Sequence, residues 1–197
     1  KMSKSVAILG KGPSVLRCTK DFIDSFDEVA GCGRPLFWGY EKYTGIRLHY
    51  HFTNKTATPY SEEETEALGI KETIMCHAES DIKNNFKYKE LDPSAGIIAF
   101  DFFLKRPEDT KIALIGFDLF QQGKKMYYFE NKEFDPAVNW LWDLGVYDKE
   151  GNLTTKSLHD IDDTYEYLND MFDSNKDKQF YIFSSYPFTK RDNLEVL

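Results

Sequence analysis

The segment Ser5-Val-Ala-Ile-Leu-Gly10-Lys-Gly-Pro-Ser14 constrains the fold more than any other stretch of this chain. Val6 to Leu9 is an apolar run of strand-forming residues that stops at Gly10. Pro13 has the fixed φ of a first helical turn, where its missing N–H costs nothing. A buried strand, a glycine turn and a helix start together form the kind of corner that binds phosphate. Glycines let backbone approach an anion, and a helix N-terminus offers free N–H groups and a partial positive charge. The alternative is an ordinary tight βα turn.

The rest of the chain alternates strand and helix signals. Residues 14–26 read as a short, partly irregular helix, and 27–33 as a second strand ending in another glycine turn. Phe37-Trp-Gly-Tyr is an aromatic loop. Residues 47–53 alternate as a strand with His49 and His51 on one face. Ser61-Glu-Glu-Glu is an acidic helix start, and 72–76 a further strand. Residues 94–105 read as a buried helix with Ser94 as N-cap. Residues 111–117 are the clearest central strand, closing on Gly116 and Asp118. Segment 120–156 is long, aromatic and weakly periodic, which marks a lid or binding loop. Ser157-Leu-His-Asp160 has the form of a capping box, followed by the apolar stripe Ile161, Tyr165, Leu168 and Phe172. Residues 180–183 are the last predicted strand, followed by a turn at Pro187. The expected fold is α/β: a three-layer sandwich around a mostly parallel, Rossmann-like sheet, with a lid-like insertion. All 197 residues are expected to form a single domain.

Composition narrows the function. The net charge of −8 argues against general nucleic-acid binding through phosphate neutralisation. Cys18, Cys32 and Cys76 are too scattered for a disulfide framework or metal knuckle and suit a reducing, cytoplasmic compartment. Nothing resembles a signal peptide or membrane span; peripheral association with the inner membrane would run through regions outside this chain. The acidic surface permits a homo-oligomer without requiring one.

In a parallel sheet, ligands bind outside the carboxyl ends of the strands. Four such ends carry suggestive residues: Gly10–Ser14, Cys32–Arg34, Thr53–Asn54 and Gly116–Asp118. Asp118 could receive ribose hydroxyls. Val15 stands where a dinucleotide fingerprint needs a third glycine, and no acid closes the second strand, which disfavours NAD and FAD. Lys11 could neutralise a phosphate, although no P-loop signature is present. His49 and His51 have no third ligand spaced to join them in a metal site; packing or hydrogen bonding is their alternative use. His159, read as two residues into its helix, would feel the positive end of the macrodipole, which favours the neutral imidazole a general base needs. Tyr127 and Tyr128 could donate hydroxyls to a leaving phosphate or serve as packing.

In order, these segments resemble the bacterial sialyltransferases of glycosyltransferase family 42. Gly10-Lys-Gly-Pro-Ser14 is similar to that family's Gly-Asn-Gly-Pro-Ser corner. The run from Phe26 to Gly33 resembles its Phe-Asp to Arg-Cys-Asn run, and Phe52-Thr-Asn54 its Phe-Tyr-Asn strand end. Ser94-Ala-Gly96 resembles its Thr-Ser-Gly helix start, and Ile115 to Gly123 its Ser-Gly-Ile-Asp-Phe-Tyr-Gln-Asn-Gly run. The resemblance implies inverting transfer of sialic acid from a CMP-sugar donor to a glycan acceptor, with neither metal nor cofactor. It implies a donor site around Gly10, Lys11, Gly12, Ser14, Gly33, Asn54, Ser94, Gly96 and Asp118. His159 would deprotonate the acceptor hydroxyl while Tyr127 or Tyr128 stabilises the departing phosphate. Lys11 and Gly33 replace family asparagines, Ala95 a serine and Phe120 a phosphate-binding tyrosine; Asp92 stands where an arginine is expected. His159 falls about four residues from the family histidine, in whose place Thr155 would stand. Lys11 would supply compensating charge. The other readings of the residues are a magnesium-dependent phosphotransferase or pyrophosphokinase using Asp118, and a nucleotide-binding module without activity.

Overall fold

The computed structural model describes residues 2–54, 58–76, 93–129, 144–154 and 159–197. Seven parallel strands form one sheet, ordered β4-β3-β2-β1-β5-β6-β7. These are β1 (Lys4–Leu9), β2 (Glu28–Cys32), β3 (Tyr50–Thr53), β4 (Glu72–Met75), β5 (Asp109–Ile115), β6 (Gln179–Phe183) and β7 (Leu194–Val196). Because β1 lies at the centre, the chain winds outward one way through β4 and then restarts on the other side at β5. A 3-10 turn at Pro13–Arg17 follows β1, and the helices are α1 (Lys20–Asp24), α2 (Glu41–Thr44), α3 (Glu62–Leu68), α4 (Ala95–Leu104) and α5 (Ile161–Ser174).

The three layers follow from the two-residue period of the central strands. Val6 and Ile8 of β1 face one side, with Ile112 and Leu114 of β5 and Phe180 and Ile182 of β6. There they bury against Ile97, Phe100 and Phe103 of α4 and Leu168 and Phe172 of α5. Ala7 and Leu9 face the other side, with Val29, Ala113 and Ile115, against Val15, Ile23, Phe37 and Leu68. A strand segment buried on both faces must read as a continuous apolar run, as residues 6–9 of β1 and 112–115 of β5 do. At the amino edge of the sheet, Arg106 bridges Glu28 at 3.0 Å and Asp109 at 2.8 Å, while Lys178 donates to the Asp109 carbonyl at 2.6 Å.

Three local expectations change. The strand at 47–53 starts only at Tyr50, because the His49 ring itself accepts the Val29 N–H at 2.9 Å. Helix α5 is capped by Asp160, which accepts from the Asp163 N–H at 2.8 Å; Ser157 lies outside the described residues. His159 therefore precedes the helix rather than lying within its first turn. A seventh strand, β7, follows the strand expected to be last, paired to β6 by the register Phe180↔Leu194.

The described parts of the 120–156 segment form a small flap. Gly123 donates to the Leu153 carbonyl at 2.8 Å and Leu153 returns a bond to Lys124 at 3.0 Å. Tyr147 and Leu153 form its own core, with Phe120, Met126, Tyr127 and Val146 packed around them. Among the described residues, no helix is long and apolar enough to cross a membrane.

Candidate functional site

All strands being parallel, the turns after β1, β2, β3 and β5 lie along one edge of the sheet. Gly10 to Ser14, Gly33, Asn54 and Asp118 therefore share a rim. Helix α4 begins at the same rim, since Gly96 sits so close to the Phe117 ring that a Cβ there would lie 3.0 Å from it. Ser94 caps this helix, its Oγ accepting from the Ile97 N–H at 3.4 Å. The amides of Ala95 and Gly96 open the helix and have no intrahelical carbonyl to bind.

The rim divides into a sealed part and an open part. The sealed part joins the turns after β1 and β5. Asp118 is buried, and its Oδ2 accepts from both the N–H and the Oγ–H of Ser14, each at 2.9 Å. Its Oδ1 accepts the Ser185 N–H beyond β6. Gly12 donates to the Gly116 carbonyl at 3.0 Å. A Cβ on Gly12 would lie 2.6 Å from that carbonyl and overlap the Asp118 carboxylate. Gly116, at φ 76°, presses against Val15, where a Cβ would lie 2.5 Å from its methyl group. The glycines of this corner thus serve a close approach between two turns. The positive end of the 3-10 turn is already neutralised by the chain's own carboxylate. Gly12, Ser14 and Asp118, expected to border a donor, are joined in this corner to one another and to the turn after β5.

The open part lies on the β1–β2–β3 side. Gly10, Lys11, Gly33, Ser94, Gly96 and Tyr127 are partly accessible, and Asn54 is exposed. The Lys11 ammonium lies 4.4 Å from the Tyr127 ring centroid. It also fills the space beside Gly33, where a Cβ would come within 2.7 Å of Nζ. Gly33 is held at φ 69° by β3: its N–H donates to Phe52 at 2.8 Å, and its carbonyl accepts from the His51 Nε2. Next to it, Arg34 Nη2 donates to both oxygens of Glu64, at 3.0 and 2.9 Å, and the guanidinium lies over the Tyr60 ring. The turn after β2 is therefore rigid, a role for His51 that lies in the contact between strands rather than in any local motif.

The two tyrosines separate. Tyr128 points inward: its N–H donates to the Lys11 carbonyl at 2.9 Å and its hydroxyl to the Leu36 carbonyl at 2.6 Å. Burial pushes this phenol well above its ordinary pKa. It anchors the flap to the β1 turn, while the Tyr127 ring stacks on Phe129 at 5.3 Å. His159 lies near the turn after β5, its ring centroid 5.1 Å from that of Phe120.

The His49 ring accepts the Val29 N–H and the His51 ring bonds the Gly33 carbonyl. Burial, aided by Lys71 and Arg47, lowers the His49 pKa, and burial with Arg34 and Lys11 nearby lowers that of His51. Among the described residues, no group of three His, Cys, Asp or Glu side chains is placed to hold a metal ion. Burial raises the Cys18 thiol to about 12 and the Cys76 thiol to about 11, so both stay protonated near neutral pH. Asp92 and Thr155 lie outside the described residues. Comparison with protein-family models finds no match for this chain, and comparison with curated proteins finds none either.

Proposed function

We propose that this chain is a glycosyltransferase domain of sialyltransferase type, moving a sugar from a CMP-linked donor to a glycan hydroxyl with inversion and without a metal. The observation that carries the reading is the gathering of Lys11, Gly33, Asn54, the start of α4 and Tyr127 along one accessible rim of a parallel sheet. Such a rim is where α/β folds hold nucleotides. Asn54 and the Gly33 turn would border the nucleoside. The free amides of α4 and the Lys11 ammonium would meet the phosphate. The Tyr127 hydroxyl would donate to the phosphate oxygen as charge develops on it.

His159 is the proposed base. The acceptor hydroxyl gives its proton to the imidazole while its oxygen bonds to the anomeric carbon. The bond from that carbon to the phosphate oxygen breaks, and CMP leaves with the electron pair. The sealed corner keeps the turns after β1 and β5 fixed beneath this chemistry without touching the donor.

The test is thermal denaturation with CMP, UDP, GDP and ATP, each with and without Mg²⁺. Metal-independent stabilisation by CMP supports the reading; at a concentration of about 100 Kd it amounts to about 2.7 kcal/mol. Stabilisation by ATP only with Mg²⁺ would point to a phosphotransferase instead, and no response to any nucleotide would refute nucleotide binding. His159→Ala should abolish CMP release from the donor while leaving CMP stabilisation intact.

A further inference from the structure

Leu119 and Phe120 are the only described non-glycine residues at positive φ, at 59° and 48°. Two consecutive L-residues in the left-handed region are strained and persist only where their surroundings over-determine them. Here the neighbours do so. The Asp118 carboxylate is fixed by Ser14 and Ser185. The Gln121 amide donates to the Asp118 carbonyl at 2.9 Å and to Ser185 Oγ at 3.0 Å, bracketing the pair from the other side. Leu119 is buried in the core beneath α4 and α5. The consequence is the direction of Phe120. Its ring leaves the sheet edge, packs against the flap core of Tyr147 and Leu153, and meets the His159 ring at 5.1 Å with an interplanar angle of 42°.

We propose that Phe120 is a positioning residue: its ring, aimed by the left-handed turn after β5, couples the seated flap to the orientation of the His159 imidazole. The inference rests on the glycosyltransferase reading in which His159 is the base. A phenylalanine cannot donate to a phosphate, so its contribution is the face it offers to its two neighbours. Aromatic rings in this geometry hold one another in orientation beyond what burial alone achieves.

The experiment follows CMP release from CMP-sialic acid, with water as acceptor, alongside thermal denaturation and the His159 ring-proton resonances. Phe120→Leu keeps apolar volume and removes the ring; Phe120→Tyr keeps the ring. A base displaced by an ångström loses up to about 100-fold in rate, so kcat of Phe120→Leu should fall by about 10- to 100-fold. The donor KM should stay within about 2-fold, because ground-state binding is untouched. Phe120→Tyr should retain kcat, and the His159 ring-proton shifts should move in the leucine variant only. The inference is overturned if Phe120→Leu turns over like the wild type. It is equally overturned if kcat falls only in step with melting temperature, or if the His159 resonances do not respond. A wild-type protein that releases no CMP overturns the glycosyltransferase reading and this inference with it, and is recognised because the parent protein itself fails.

Discussion

Replacing Asp118 with asparagine separates a structural clamp from a ligand-binding carboxylate. In the wild type, one oxygen faces the Ser14 N–H and hydroxyl and the other faces the Ser185 N–H. The Ser14 hydroxyl has one proton and two acceptors at 2.9 Å, Asp118 and the Phe183 carbonyl, so the firm bonds are those from the two backbone amides. Asparagine keeps one carbonyl oxygen and turns an NH₂ group toward whichever amide it cannot serve. One charge-assisted bond, worth about 1.5–3 kcal/mol, is lost, and a buried N–H is left facing another donor at a further 1–3 kcal/mol. Allowing for relaxation, Asp118→Asn should destabilise by about 3 kcal/mol, a large share of a typical domain stability. For a chain of this size that lowers the melting temperature by roughly 6–12 °C. Urea denaturation followed by tryptophan fluorescence measures the loss, and Ser14→Ala, which keeps both amide bonds, should cost only about 1 kcal/mol. The reasoning fails if Asp118→Asn melts like the wild type, or if it keeps wild-type stability while losing stabilisation by CMP. The second result would return Asp118 to the ribose.

Further outcomes follow from the same structure. Tyr128→Phe should lower stability by about 1–2 kcal/mol, since it orphans the buried Leu36 carbonyl, and leave kcat for CMP release unchanged. Gly33→Ala should cost about 1–2 kcal/mol for its left-handed φ and displace the Lys11 ammonium, so CMP stabilisation measured by thermal shift should shrink with it. At the opposite edge of the sheet, burial, with Glu28 and Glu108 nearby, pushes the Asp109 carboxyl up to about 6 against the pull of Arg106 and Lys178. Its folded-state value lies above the ordinary one. Its contribution is therefore fully present below about pH 4 and lost as pH rises through about 6, on the order of 2–3 kcal/mol. The difference in urea stability between wild type and Asp109→Asn should change across that window and shift in favour of the variant; a pH-independent difference would refute the assignment.

The architecture was legible because its signals are local. Apolar runs such as Val6–Leu9 and Ile112–Ile115, each bounded by glycine, encode doubly buried strands whatever else the chain does. Ser61 with Glu64 forms the capping box of α3 within one turn. Ser94 as the cap of α4 is equally local. Strand β7 was not legible, because three residues do not establish a period and its apolar ends acquire meaning only against β6. At α5, cap-type residues stand at both Ser157 and Asp160, and the sequence has no means of choosing between them.

The candidate site divides along the same line. Residue types and their order along the chain determined that Gly12, Asn54 and Asp118 would reach one rim, because strand direction and connection follow from the alternation of elements. Which side chains would bond to a neighbouring turn was decided by hydrogen bonds spanning very different distances in sequence. Asp118 and Ser14 are 104 residues apart, Tyr128 and Leu36 are 92 apart, and His51 and Gly33 are 18 apart. Each of these side chains is chemically suited both to a ligand and to a neighbouring turn. A glycine that admits phosphate equally admits another carbonyl. Only the packed molecule, where a buried polar group must find its partner within about 3 Å, settles which use is made of it.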